Sequence, residues 1–148
     1  MASAKNYSIY QINLPERPEA VVFVNGFLAR DCAGFFWMWK NLLWIRSATA
    51  KAEGCVQVKA GICGANEVLM VSYWRCEQDL KQFFRGEPHR RMMQFVMKNP
   101  SSLCLYNETY RPWHSGKYSH EPQGMAMLYA NLANKRNEFS SDRASVRG

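Results

Sequence analysis

"CVQVKAGICGANEVLMVSYWR", Cys55 to Arg75, decides the fold. Two strand-like runs, "CVQVKAGIC" and "EVLMVSYWR", flank Gly64-Ala65-Asn66, a short turn-forming link that argues for a β-hairpin. Upstream, "EAVVFVNGFLA" (Glu19 to Ala29) is rich in β-branched and aromatic residues and follows Pro15 and Pro18, so it reads as a first strand. Asp31 then stands where a helix N-cap belongs, ahead of an apolar-periodic run that ends near Glu53-Gly54. Downstream, "CEQDLKQFFRG" puts acidic residues in the first turn of a helix and Leu80, Phe83 and Phe84 on its inner side. Gly86 and Pro88 interrupt that helix, "HRRMMQFVMKN" resumes the period, and Asn99-Pro100 stops it. "SLCLYNETYRP" alternates as a fourth strand.

The order is β-α-β-β-α-β, an α+β ferredoxin-like arrangement with a four-stranded antiparallel sheet and helices on one face. The other face needs cover, and a second copy of the sheet would supply it, so a homodimer is expected. Residues 1–18 read as an N-terminal extension, 19–135 as the domain and 136–148 as a small, polar, disordered tail, with one short C-terminal helix over about 123–135.

Composition narrows the function classes. A chain of 148 residues with 47% apolar and 14% aromatic content can bury one core and keep aromatics for a cavity or an interface. The formal charge of +7 attracts anions, but there is no paired Cys/His spacing, glycine-aromatic strand motif or heptad repeat, so nucleic acid is not the expected partner. Five cysteines, with no Cys-x-x-Cys pair, read as reduced cytoplasmic thiols, and "MASAKNYSIYQINLPERPEA" is too polar for a signal peptide. "CAGFFWMWKNLLWI" (Cys32 to Ile45) is too short and too interrupted by Lys40 and Asn41 to span a bilayer. It reads foremost as a helix packed on the sheet, and a peripheral contact with a membrane or a partner is the alternative.

Three stretches, "VSYWRCEQDLKQF", His89 and "LYNETY", resemble a monooxygenase-like family of the dimeric α+β barrel superfamily. The resemblance spans roughly Val21 to Tyr129, and Tyr73-Trp74-Arg75 with Glu108-Thr109-Tyr110 is its specific part. It implies a dimeric barrel and oxygenase-type chemistry. Asn107 stands where the family pattern has a histidine, and Met93 where it has a tryptophan. The related heme-degrading barrels use an asparagine on the first strand and a tryptophan and a histidine on the second helix. Asn25 and His89 fall in similar places, whereas Phe83 or Phe84 takes the tryptophan's. Heme is therefore a cofactor that the resemblance holds open, with His89 as the axial ligand.

Four residues carry the candidate catalysis. A helix break re-aims the side chain behind it, so His89 could shuttle a proton or ligate heme iron, or it could be a surface histidine beside Arg90 and Arg91. Asn25, in an otherwise apolar strand, must contact a ligand or satisfy a neighbouring strand. Alternation places Glu108 and Tyr110 on one side of their strand, where burial would make an acid or base of the carboxyl, or where an arginine would pair with it. Arg75 could clamp a carboxylate or pair with Glu108. Tyr73 and Trp74 must face opposite ways. His114 and His120 could close over a site from a glycine-containing loop.

The expected pocket is walled by Phe23, Phe27, Trp37, Leu69, Tyr73, Trp74, Arg75, Phe83 and Phe84. The expected function is a monooxygenase-like enzyme acting on a hydrophobic aromatic or polycyclic molecule, heme-dependent or cofactor-free. The alternatives are a cofactor-free isomerase or cyclase, and a non-catalytic protein that binds small molecules or docks on a membrane or partner.

Overall fold

The hairpin forms as its sequence dictates. In the computed structural model, which describes residues 9–11, 14–113, 116–119 and 123–133, β3 (Cys55–Gly64) and β4 (Glu67–Trp74) run antiparallel around Ala65-Asn66. The turn is tied to the neighbouring strand. Ala29 N donates to Asn66 O at 2.8 Å, and Asn66 Nδ2 donates to Ala29 O at 3.1 Å.

Around the hairpin lie β1 (Ile9–Gln11), β2 (Val21–Ala29), α1 (Cys32–Ala50), α2 (Glu77–Arg85), α3 (Glu87–Lys98), β5 (Leu103–Tyr110), β6 (Lys117–Ser119) and α4 (Met125–Ala133). The main sheet has the order β3-β4-β2-β5 and every pairing is antiparallel. This is the ferredoxin-like βαββαβ fold, with a short C-terminal helix added.

Strand parity sorts the side chains. Val21, Phe23 and Phe27 on β2, Val68, Met70 and Trp74 on β4, and Leu103 on β5 point toward α1–α3 and are buried. They meet Met38 and Ile45 from α1, Leu80 and Phe83 from α2, and Met92 from α3. Trp74 is 0% exposed, and its indole N–H donates to Ser72 Oγ at 2.9 Å, which in turn donates to Phe23 O at 3.3 Å. A core tryptophan whose polar atom is satisfied in this way contributes on the order of 3–5 kcal/mol against alanine.

Local chemistry fixes the helix ends. Asp31 caps α1 by accepting from Gly34 N at 2.8 Å, and its other oxygen accepts from Ser102 Oγ at 2.7 Å, which ties the helix to the turn before β5. Those bonds hold its carboxyl below the ordinary carboxylate range, with the Gly34 amide as the largest cause. Gly54 has φ of +81° between α1 and β3, where an added Cβ would come within 2.1 Å of Asp79 Oδ2. Gly86 is extended, and Pro88 sits in the first turn of α3, where its missing N–H has no helical partner to lose. The second helical segment therefore begins at Glu87, two residues earlier than the periodicity alone suggests.

Two features depart from the sequence reading. Within the N-terminal extension, Ile9–Gln11 pairs antiparallel with Lys117–Ser119 in a separate two-stranded ribbon. Three-residue strands carry too little alternation to stand out from loops. The second feature is cover on the sheet face away from α1–α3, the open face. Gly124 N donates to Gln57 Oε1 at 2.6 Å, and Lys59 Nζ donates to Gln123 Oε1 at 2.5 Å, so the start of α4 sits on the β3 side of that face. The tail 136–148 and both His114 and His120 lie outside the described residues.

Candidate functional site

Asn25 occupies the middle of β2, with Met70 of β4 on one side and Asn107 of β5 on the other. It shares the helix-facing side with Phe23 and Phe27, both buried. Its Oδ1 is buried and accepts from no donor among the described residues. A buried carbonyl oxygen left without a donor costs on the order of 1–3 kcal/mol, so its retention among apolar neighbours marks a place built to receive one.

The Asn25–Asn107 register pair puts two amides on one face of adjacent strands. Asn107 itself is exposed. Strand alternation separates it from Glu108 and Tyr110, which point to the other side of β5.

His89 lies in the first turn of α3, directly behind the break at Gly86. Its ring packs against Phe84 at 5.0 Å and Phe83 at 6.0 Å, and Phe84 meets Phe23 edge-on at 5.1 Å. A run of aromatic rings thus leads from the imidazole to the strand that carries Asn25. Burial pushes the His89 imidazole below its ordinary value of 6.5, and a hydrogen bond with the Phe84 backbone offsets part of that. Burial thus favours the neutral imidazole, the form that can accept a proton.

Trp37 stacks on Phe95 at 4.6 Å between α1 and α3, over the same layer. Phe23, Phe27, Trp37, Trp74, Phe83 and Phe84 therefore belong to the helix side, as do Asn25 and His89, though Trp74 is sealed in the core. Leu69 and Tyr73 do not join them. Each is one residue out of step with the buried Val68, Met70 and Trp74, which puts both on the open face. Glu108 and Tyr110 share that open face, where the Tyr110 hydroxyl donates to Glu108 Oε2 and, chiefly for that reason, has a raised pKa. They are separated from Asn25 and His89 by the sheet itself.

Arg75 stands exposed at the exit of β4. It pairs with Asp79 at 3.0 Å and Glu53 at 3.7 Å rather than with Glu108. The arginine partner that does cross between elements nearby is Arg111, at 2.8 Å from Glu77.

A cleft of about 450 Å³ opens between α1 and the α2–α3 junction, walled by Trp44, Ala48, Phe83 and Pro88 and rimmed by Lys51 and Glu53. Of the residues expected to wall a pocket, it contains only Phe83, whose ring also touches His89. A porphyrin does not fit the residues around His89. The imidazole is packed into the Phe83–Phe84 cluster, and Phe84 is itself held by Phe23, so rings fill the space that an axial ligand would leave for the macrocycle. Among the described residues no three His, Cys, Asp or Glu side chains gather as metal ligands. The Cys55 thiol, desolvated by burial, is pushed up to about 11 and is inert at neutral pH.

Solved structures share the architecture at low identity. SnoaB, a cofactor-independent oxygenase from Streptomyces nogalater, superposes with a TM-score of 0.51 at 11% identity over 65% of this chain and 95% of its own. Protein SO0527 from Shewanella oneidensis gives 0.55 at 16% identity over 76% of this chain and 98% of its own. A conserved protein from Methanosarcina mazei gives 0.53 at 16% over 64% and 93%. Similarity at this level establishes the common fold. No curated protein sequence matches the chain. The family model described as Monooxygenase af470-like matches residues 21–135, from the first residue of β2 to beyond α4, and the chain belongs to that family.

Proposed function

We propose that the protein is a cofactor-free, monooxygenase-like enzyme that oxidises a hydrophobic polycyclic phenol, working as a cytoplasmic homodimer. The observation that carries this reading is the buried Oδ1 of Asn25, an acceptor without a donor among the described residues, on an aromatic-lined strand face. An acceptor of this kind selects a ligand that brings an O–H or N–H on an apolar body, which would reach it by displacing Phe83 or Phe84 from the side of the cleft that Phe83 walls. The family and the SnoaB likeness support the oxygenase class, and the aromatic filling around His89 favours chemistry without heme.

In this mechanism Asn25 Oδ1 accepts from the phenol hydroxyl. Neutral His89 then removes a proton from an acidic ring CH2 of the same substrate. The resulting carbanion passes one electron to dioxygen, the radical pair combines to a peroxide that takes the proton back from His89, and loss of water from the hydroperoxide leaves a carbonyl. CH2 and O2 become C=O and H2O, and the substrate supplies all the electrons.

Oxygen uptake with a panel of tricyclic phenols tests the proposal. One O2 consumed per product formed is expected. His89→Ala should lower kcat by about 10²–10⁴-fold, and Asn25→Ala should raise KM by roughly tenfold. Undiminished turnover in both variants would remove the site. Turnover without oxygen uptake would reassign the protein as an isomerase or cyclase, and binding without turnover would make it a carrier.

A further inference from the structure

Two adjacent helices present an apolar and basic surface that the core does not use. On α1, Phe36 is 71% exposed and Leu43 is 77% exposed, and Lys40 stands between them on the same helical stripe. On α3, Met97 is 78% exposed beside Lys98. The helices are joined along this side by the Trp37–Phe95 stack and by Arg91, whose guanidinium lies 4.4 Å from the Trp44 ring centre.

Charge on the surface is predominantly positive. Between Cys32 and Ala50 there is no Asp or Glu, and Lys40 and Arg46 are exposed. Arg90, Arg91 and Lys98 are exposed on α3, and its first-turn acid, Glu87, is already engaged by Arg90 at 3.3 Å. No helix among the described residues is long and apolar enough to cross a membrane.

We propose that the outer face of α1 and α3 docks on an anionic lipid bilayer, with Phe36, Leu43 and Met97 entering the acyl boundary and Lys40, Arg46 and Arg91 meeting lipid phosphates. Exposed apolar side chains interleaved with cations are what an interfacial helix requires. The position of Lys40 decides between occupants. Lysine is depleted at the centre of protein interfaces, where its charge would be desolvated, whereas at a bilayer its stem lies along the apolar surface and its ammonium reaches the head groups. The half-buried Trp37 and Trp44 border the stripe on the side of α3, and indoles favour the membrane interface. The surface is on the opposite side from the open sheet face, so a second copy covering that face would leave it free.

Cosedimentation of the full chain with vesicles tests the proposal, comparing phosphatidylcholine alone with phosphatidylcholine containing phosphatidylglycerol. Binding to the anionic vesicles and about tenfold less to the neutral ones is expected. The double variant Phe36→Ser, Leu43→Ser should lose about tenfold or more, and Lys40→Glu at least about fivefold, each with an unchanged melting temperature. Ile62→Ser, at a 68% exposed position on β3, should bind as the parent does. No binding to either vesicle overturns the proposal. Binding that the Phe36, Leu43 double variant retains in full also overturns it, by assigning attraction to net charge alone. Phe36- and Leu43-dependent binding to polyglutamate without vesicle binding would replace the bilayer with an acidic protein. Oxygen uptake on soluble phenols is measured separately, so loss of either property leaves the other readable.

Discussion

Asn25 illustrates how a site announces itself at the cost of stability. Its position in an apolar strand was legible from sequence, because a single amide between Phe23 and Phe27 breaks an otherwise uniform run. Whether the amide served a ligand or a neighbouring strand was not legible, since that depends on which donors the fold brings within reach. The structure brings none to Oδ1 among the described residues. Replacing Asn25 with Val removes the unmet acceptor while keeping the strand shape, so urea denaturation should show a gain of about 1 kcal/mol, and oxygen-uptake activity should be lost. A loss of stability would mean that the amide is structural. His89 yields a second residue-scale prediction. Burial lowers its folded pKa, so the folded state binds fewer protons than the unfolded one below about pH 6.5. Stability is then complete above the unfolded value and declines as pH falls from there through the folded one. His89→Gln should flatten this part of the melting-temperature profile between neutral and mildly acidic pH, and an unaltered profile would show that the imidazole is not desolvated. Leu69 and Tyr73 were grouped with residues one step away in sequence, and in a strand one step is the other side of the sheet.

At the scale of elements, the hairpin, both long helical segments and all four principal strands were written in turn residues, caps and periodicity. The ribbon of β1 and β6 was not, because its two strands are three residues each and lie more than a hundred positions apart. Element junctions hold the next prediction. Gly54 turns the chain from α1 into β3 with a positive φ, its carbonyl accepts from Arg75 N at 2.9 Å, and the Asp79 carboxylate fills the space where a side chain would go. Gly54→Ala combines backbone strain with a displaced Asp79–Arg75 pair, and should cost about 1–3 kcal/mol by urea denaturation. A smaller loss would mean that the loop relaxes freely. The Asp31 cap works in the same way at the other end of α1. Because its folded pKa is lowered, its contribution is present above the ordinary carboxylate value and is lost as pH falls through the folded one.

The whole molecule has two outward faces with different chemistry, and the outer side of α1 and α3 is the predominantly basic one. On the open face, Val24 of β2 lies between Val71 of β4 and Glu108 of β5, with Tyr106 laid across Gly26 so closely that a Cβ there would meet its ring at 1.9 Å. The expectation of a twin sheet rested on the rule that an apolar sheet face must be covered. The start of α4 already provides cover over β3 through Gln57 and Lys59, which the sequence did not reveal because those contacts join residues more than sixty positions apart. A second copy would therefore meet chiefly the β2–β5 half. Val24→Lys separates the two kinds of cover. Within one chain the introduced ammonium finds Glu108 directly across on the adjacent strand, so the fold tolerates it. Between two copies packed on the β2–β5 half it would be buried in the contact, where a charge is poorly solvated. Light scattering over a concentration series should show a dimer for the parent chain and, for Val24→Lys, a monomer or a dissociation constant weakened by at least about tenfold. Equal masses for the two proteins would mean that the chain's own C-terminal segment is the cover and that the β2–β5 half faces water.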